Sequence, residues 1–412
     1  MQPHKNEKGI ALLMAMFTVV IITYLAAEIS YEVGIEYRLS KNEYDDLKAR
    51  YAAKSAMEIS LLRVSMYKQV FDQFGGNISD PAMLDMIWQF PFSWPPAAPE
   101  DASLVAKEEI SGILEETTQD TAWTSIIESE GNRIDINDLY SPSKVLAEAT
   151  QEKILQLLVR RQEADDEWAQ ANRSIDMKEI VNNIVDWIDP DEESPHAGSE
   201  GSLYGEITEV TLPPNADLKT IEELHMVAGV TDDIYNIIAP VVTVYGIKGI
   251  NVNYADKQQL MAIDTQILEE VADAILTRRN DPDLGPFKDL GEFQGFLEEE
   301  GLDIEEFNKT QMPLRFGKEF NFRIKAIGMF GQSQRQIEAI VYDFTNAKLQ
   351  LNTLIDAQAK AENESNQQNN KAKSNNNNTN NNNNSSNQNS RKNSNQPTFD
   401  KGKPKVIYWK ES

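Results

Sequence analysis

Six acidic side chains crowd one stretch of the chain: Asp189, Asp191, Glu192, Glu193, Glu200 and Glu206, all between Asp186 and Glu206. Carboxylate oxygens are hard ligands, and Gly198, Gly201 and Gly205 permit the sharp turns that wrap about six to eight of them around a calcium ion. The spacing is not that of an EF-hand, so the pattern predicts calcium binding without choosing the ligands. An acidic loop that simply faces water is the plain alternative.

Other chemistry finds little support. His4, His196 and His225 are the only histidines, and no Gly-x-Ser-x-Gly elbow, His-Glu-x-x-His helix or phosphate-cradling glycine loop is present. Pairs of carboxylates of the glycosidase kind arise by chance among 66 acidic residues, and their plain reading is a solvated acidic face. With no cysteine, disulfides, thiolate metal sites and cysteine nucleophiles are excluded. The residues therefore predict no enzyme.

Charge narrows the partners. The net charge is -27, and because Ala361 to Ser412 carries eight Lys/Arg against four Asp/Glu, residues 1–360 carry -31. Leu224 to Val230, with Gly229, has helix-hairpin-helix character, a motif whose backbone amides can hold a DNA strand. Glu222, Glu223, Asp232 and Asp233 surround it, so no nucleic acid is expected there. Plain helix packing explains the hairpin equally well.

The N-terminus positions everything else. A short polar stretch with Lys5 and Lys8 precedes Ile10 to Ala27, 18 residues without a charge and long enough to cross a bilayer as a helix. A secretory signal peptide fits less well, since Leu25-Ala26-Ala27 lacks a small residue at its first position and the helical pattern continues beyond it. No proline occurs between Ile10 and Phe74, and Gly34 is the only breaker before Gly75 and Gly76. Beyond the span, Tyr51, Ala52, Ser55, Ala56, Ile59 and Leu62 recur at helical spacing and predict the face on which a head domain packs, with Lys54, Glu58 and Arg63 toward water.

Lys8-Gly9-Ile10-Ala11-Leu12-Leu13 resembles the class III signal of pilins. The resemblance implies that a prepilin peptidase cuts after Gly9 and methylates Ile10 as the mature N-terminus. Most pilins carry Glu at the fifth mature position, where its carboxylate balances a neighbour's N-terminal amine; here that position is Met14. Minor pseudopilin K of type II secretion lacks that Glu. Gly131-Asn132-Arg133-Ile134-Asp135-Ile136-Asn137, Val185-Asp186-Trp187-Ile188-Asp189-Pro190-Asp191, Gly249-Ile250-Asn251-Val252-Asn253 and Val406-Ile407-Tyr408-Trp409-Lys410-Glu411 are similar to that family as well. The resemblance implies a subunit at the pseudopilus tip, in the bacterial inner membrane with its head in the periplasm. Its implied partners are the minor pseudopilins I and J, the major pseudopilin, the prepilin peptidase and the inner-membrane secretion platform. It also implies calcium in the helical domain. A type IV pilus minor pilin is the alternative reading, and a helix-hairpin-helix DNA-binding membrane protein a more distant one.

The expected fold is α+β: a long N-terminal pilin-type helix, a small antiparallel sheet and a large inserted helical domain. Residues 1–9 read as the leader, 10–74 as transmembrane and amphipathic helix, and 75–137 as the first part of a pilin-like α/β domain. Residues 138–315 read as the inserted helical domain, 316–350 as a sheet hairpin, 351–403 as an Asn-rich disordered insertion and 404–412 as the closing strand. Trp123 to Glu128 and Arg133 to Asn137 flank a turn and are expected to pair as a first hairpin, and Phe320 to Phe330 with Gln334 to Phe344 as a second. Helical patterns cover Lys153 to Ala164, Met177 to Ile188, Thr220 to Val227 and Thr265 to Arg279. A strand, an Asn and helices ending in Arg-Arg occur twice, from Arg133 to Arg161 and from Gly249 to Arg279, which suggests a duplicated module. Asn, Ser and Gln between Asn363 and Gln396 cannot bury enough surface to offset chain entropy.

Overall fold

The computed structural model describes residues 7–74, 82–96, 103–173, 175–190, 193–194, 198–199, 214–281, 283–309, 313–343 and 404–412. Helix α1 runs unbroken from Glu7 to Phe74, about 100 Å at 1.5 Å per residue. In its apolar half the hydroxyls of Thr18, Thr23 and Ser30 donate to the carbonyls of Met14, Val19 and Ala26 at 2.8, 2.8 and 2.7 Å. Each polar side chain is thus satisfied inside the helix and tolerates an apolar surrounding.

After α1 come α2 (Ala82–Gln89), β1 (Phe92–Trp94), α3 (Leu104–Glu116), β2 (Ala122–Ser129) and β3 (Ile134–Asp135). The helical region holds α4 (Lys144–Ala164), α5 (Asp166–Ala171), α6 (Met177–Ile188), the short β4 (Glu193–Ser194) and β5 (Gly198–Ser199), α7 (Asp232–Ile238) and β6 (Val242–Thr243). It continues with β7 (Ile250–Asn251), α8 (Lys257–Ile263), α9 (Glu269–Arg279), α10 (Leu290–Glu299), α11 (Ile304–Lys309) and β8 (Leu314–Arg315). The chain closes with β9 (Asn321–Phe330), β10 (Ser333–Tyr342) and β11 (Lys405–Glu411).

One antiparallel sheet in the order β1-β2-β9-β10-β11 packs on the second half of α1, giving the α+β architecture. Alternate residues enter the core beneath the helix: Trp123 and Ile127 of β2, Phe322, Ile324 and Ala326 of β9, Ile337, Ala339 and Val341 of β10. Period-2 burial of this kind is what a strand with one covered face produces. β9 and β10 form a tight hairpin in which Phe330 faces Ser333.

The first expected hairpin is not formed. β2 pairs with β9, while Ile134 and Asp135 of β3 pair in parallel with Val242 and Thr243 of β6. Alternation fixed strand character in both segments but not the partner. The chain turns away at Glu130, and β2 is held instead between β1 and β9.

A separate core fills the helical region, from Ile134 and Ile136 through Ile184 and Trp187 to Phe293 and Leu297. Two units divide it. β3 is followed by α4 and α6 and pairs with β6; β7 is followed by α8 and α9 and pairs in parallel with β8. In the first unit Asn137 accepts from Leu218 N at 2.9 Å and donates to Leu218 O at 3.1 Å. In the second, Asn253 accepts from Phe287 N at 3.0 Å and donates to Phe287 O at 2.8 Å. One residue beyond each, the amides of Lys219 and Lys288 donate to Glu223 and Glu292 at 3.1 and 2.8 Å. Recurrence of the same side-chain bridges in the same order makes duplication of a module the better explanation than chance.

Candidate assembly surface

Two faces of α1 must be accounted for. The inner one carries Ala49, Ala52, Ala53, Ala56, Met57, Val64 and Tyr67, all buried against the sheet. Small side chains bring the helix backbone close to β9, and Gly328 meets it with no side chain at all. Where β9 turns into β10, Gly331 (φ +58°) stands against the carboxylate of Asp45. Ion pairs seal the flank: Arg50 with Glu411 at 2.6 Å, Lys48 with Asp120 and Arg335 with Asp46.

The outer face is apolar as well, and this corrects the sequence reading. Tyr51 is 62% and Leu62 59% exposed, so neither lies on the packed face. At about 100° per residue they align with Tyr44 and Met66, also exposed, and with Tyr37 and Val33 further back. Ala52, Ala56 and the half-buried Ile59 are the members of the expected face that do pack. Arg63, expected in water, is half-buried and donates to the carbonyls of Ile87 at 2.9 Å, Trp88 at 3.1 Å and Phe90, the C-terminal end of α2. Counting two interleaved apolar rows on one helix, rather than one, is the signal that would have found the outer face.

Helix α2 adds to that surface. Its inner residues Leu84, Asp85 and Trp88 are buried, while Met83, Met86 and Phe90 at i, i+3 and i+7 are exposed. Asp85 accepts from Tyr254 Oη at 2.7 Å and from Trp88 Nε1 at 3.1 Å, and burial pushes its carboxyl up to about 6 despite those bonds.

Buried charge fixes the helical domain to this head. Glu130 accepts from Arg323 Nη2 at 2.5 Å, Arg323 Nε at 2.6 Å and the Thr243 hydroxyl. Glu319 accepts from Ser129 Oγ at 2.5 Å, Phe320 N at 2.9 Å and Arg315 at 3.3 Å. A side chain at Gly131 would collide with Glu319 and Arg315, which explains the glycine of that motif. Both carboxylates are fully buried and multiply bonded, the condition under which such groups specify one geometry. These bonds join the sheet to the helical domain across one buried seam.

The sequence-predicted site residues fall in three places. α1 passes through Gly9 and Ile10 without a break, and Ile10 and Met14 are exposed, Met14 at 69%; residues 1–6 lie outside the described residues. Among the described residues one helix is long and apolar enough to cross a membrane, with a window of mean hydropathy 2.5 and no buried share. Asp189 caps α6, its amide bonded to Val185 O at 2.9 Å, and Asp186 and Asp189 are both buried there. Asp191, Glu192, Glu200 and Glu206 lie outside the described residues, as does the Asn-rich segment. Of Glu193 and Gly198 only the backbone pairing of β4 with β5 is described. Among the described residues no group of three or more His, Asp or Glu gathers for a metal.

The helix-hairpin-helix segment is packed inward. Asn183 of α6 donates to Ala228 O at 2.9 Å, and Gly229 (φ +82°) lies over Ile180. The glycine serves a turn that seats on α6.

No curated protein matches the chain. Among solved structures, a chain in the crystal structure of the GspK-GspI-GspJ complex from the enterotoxigenic Escherichia coli type 2 secretion system aligns over 75% of this chain and 94% of its own, at 16% identity and a TM-score of 0.49. Residues 132–246, which hold the first helical unit with its Asn137 bridge and buried Glu130 seam alongside, match the family model of type II secretion system protein K. Across that segment the chain is similar to type II secretion system protein K.

Proposed function

We propose that this chain is a minor pseudopilin that caps the pseudopilus tip together with the minor pseudopilins I and J, promotes assembly for protein secretion, and has no enzymatic activity. One observation carries the reading: α1 is apolar on two faces, and the described residues cover only one of them. The open face runs from the apolar span past Tyr44 and Tyr51 to Leu62 and Met66, which suits helices stacked side by side. The bulk of the two helical units fits a terminal position, where no copy has to stack above. Met14, with no carboxylate for a neighbour's amine, fits the same place.

Lys5 and Lys8 keep the leader cytoplasmic, so the head stands in the periplasm, anchored by a single pass through the inner membrane. Prepilin peptidase cuts between Gly9 and Ile10, the secretion platform lifts the helix, and the major pseudopilin follows below. Calcium fits the donors in view. Asp186 and Asp189 bring buried carboxylates to the C-terminal, negative end of α6, where a divalent cation offsets both charge and dipole. Asp189 would hold it together with Asp191, Glu192, Glu200 and Glu206; the ion would supply a rigid anchor for that loop.

The test is co-purification of the tagged full chain with pseudopilins I and J from detergent-solubilised membranes. A stoichiometric complex that Tyr51→Glu with Leu62→Glu abolishes is expected. A monomer in the presence of both partners overturns the reading.

A further inference from the structure

Asp85 stands where three parts of the molecule meet. It sits on the inner face of α2, buried, and accepts from Trp88 Nε1 of its own helix at 3.1 Å and from Tyr254 Oη of the helical region at 2.7 Å. The Trp88 ring lies 6.2 Å from that of Tyr67 in α1, 5.5 Å from Tyr254 and 5.2 Å from Phe322 in β9. One carboxyl is thus enclosed by rings from the anchor helix, the sheet and the helical region. Tyr67 Oη is buried beside Asp85 and Tyr254 and makes no hydrogen bond of good geometry.

No cation answers a charge at this point. Arg63 of α1 gives its guanidinium to the carbonyls of Ile87, Trp88 and Phe90 at the far end of α2, and Lys68 pairs with Asp343 at 2.5 Å. Lys318 stands over the Phe71 ring, and Glu319, which is bonded to Arg315 and Ser129, repels a second carboxylate. Among the described residues Asp85 is in no ion pair. Burial therefore pushes its carboxyl up to about 6, and burial likewise raises Tyr67 and Tyr254, which stay protonated throughout.

The two ends of α2 are fastened by different chemistry. Arg63 holds the C-terminal carbonyls to α1 at any ordinary pH, whereas the hydrogen bond from α2 to the helical region runs through a group that changes charge. A helix of eight residues is too short to persist once it leaves its seat. We propose that Asp85 is a proton-sensitive clasp: as a neutral acid it closes α2 onto Tyr254 and the anchor helix, and as a carboxylate it releases the first half of α2 from that seat. Met83 and Met86 ride on the released half, so the apolar surface that α2 presents changes with pH. The clasp does not depend on the pseudopilin reading.

The direction follows from linkage. The closed form holds the proton more tightly than the open form, whose carboxyl titrates near 3.9, so opening grows as pH rises and levels off above about 6 to 7. Those two values give an opening equilibrium about tenfold larger at pH 7 than at pH 5.

Hydrogen exchange of the full chain in detergent micelles tests this, measured from pH 5 to 8 with each amide corrected for its intrinsic rate. In the unaltered chain the amides of Met86 to Gln89 are expected to lose about tenfold protection between pH 5 and 7, while those of β9 keep theirs. Asp85→Asn, which cannot ionise, should abolish the dependence. Tyr254→Phe removes a donor to the carboxylate and should move the transition to higher pH. Equal pH dependence in the unaltered chain and the Asn variant overturns the clasp, and so does loss of protection in α2 and β9 together. Should the Asn variant not fold, Tyr254→Phe decides alone: an unmoved transition overturns the clasp.

Discussion

Gly328 of β9 lies directly against Ala53 of α1: a Cβ at Gly328 would stand 2.2 Å from the Ala53 amide nitrogen and 2.1 Å from the Ala49 carbonyl oxygen. Both are backbone atoms, so nothing flexible can give way. Gly328→Ala is expected to push the helix off the sheet and cost about 1–3 kcal/mol or more, the range for overpacking. Denaturant melts of the head measure it. An unchanged midpoint would mean that α1 is not seated on β9 as described.

Asp85 makes stability depend on pH. Burial raises its carboxyl to about 6, above the roughly 3.9 of an unfolded Asp, with the bonds from Tyr254 and Trp88 opposing the shift. A raised folded value means that its contribution is full below about pH 4 and is lost as pH rises through about 6, at most about 3 kcal/mol. Asp85→Asn, which cannot ionise, should flatten the melting-temperature profile over this window. Superimposable profiles of the two proteins would remove Asp85 as the cause.

Tyr342 at the end of β10 is the cross-strand partner of Lys405 at the start of β11. Chain leaves and returns at the same point, so the Asn-rich segment closes a hairpin that a short turn closes equally well. Replacing residues 346–401 by a few Gly and Ser residues should leave the melting temperature nearly unchanged. Truncation after Pro404 should lower it, since it removes the β10 ladder, the Tyr245–Tyr408 ring contact and the Glu411 pairs with Arg50 and Lys54. A silent truncation would count against β11 as part of the fold.

Calcium binding by the loop from Asp186 to Glu206 predicts heat in calorimetry of chelator-stripped protein and a higher melting temperature on adding calcium, by linkage. Asp189→Ala should diminish both. No heat and no shift would leave an acidic loop facing water.

Processing has a direct readout. Mass spectrometry of protein extracted from membranes that contain prepilin peptidase should find Ile10 first, carrying a methyl group. Intact Met1, or cleavage after Ala27, would remove the class III reading.

The sequence by itself determined what depends on neighbours along the chain. An uncharged run of 18 residues from Ile10 to Ala27 without proline reads as an apolar helix, and Met177 to Ile188 was legible to the residue from its apolar period. Strand character in Trp123 to Glu128 and Phe320 to Phe330 was legible for the same reason. Tertiary structure decided the pairings, since period-2 alternation states which side is covered and never by what: β2 went to β9, and Ile134 and Asp135 went to β6. It also decided which row of α1 is inside. Tyr51 and Leu62 are large and apolar like Met57 and Val64, and only the close approach of Gly328 to Ala49 and Ala53 turns the small row inward and leaves the large one exposed. Composition placed two apolar rows on one helix; shape complementarity with the sheet chose between them.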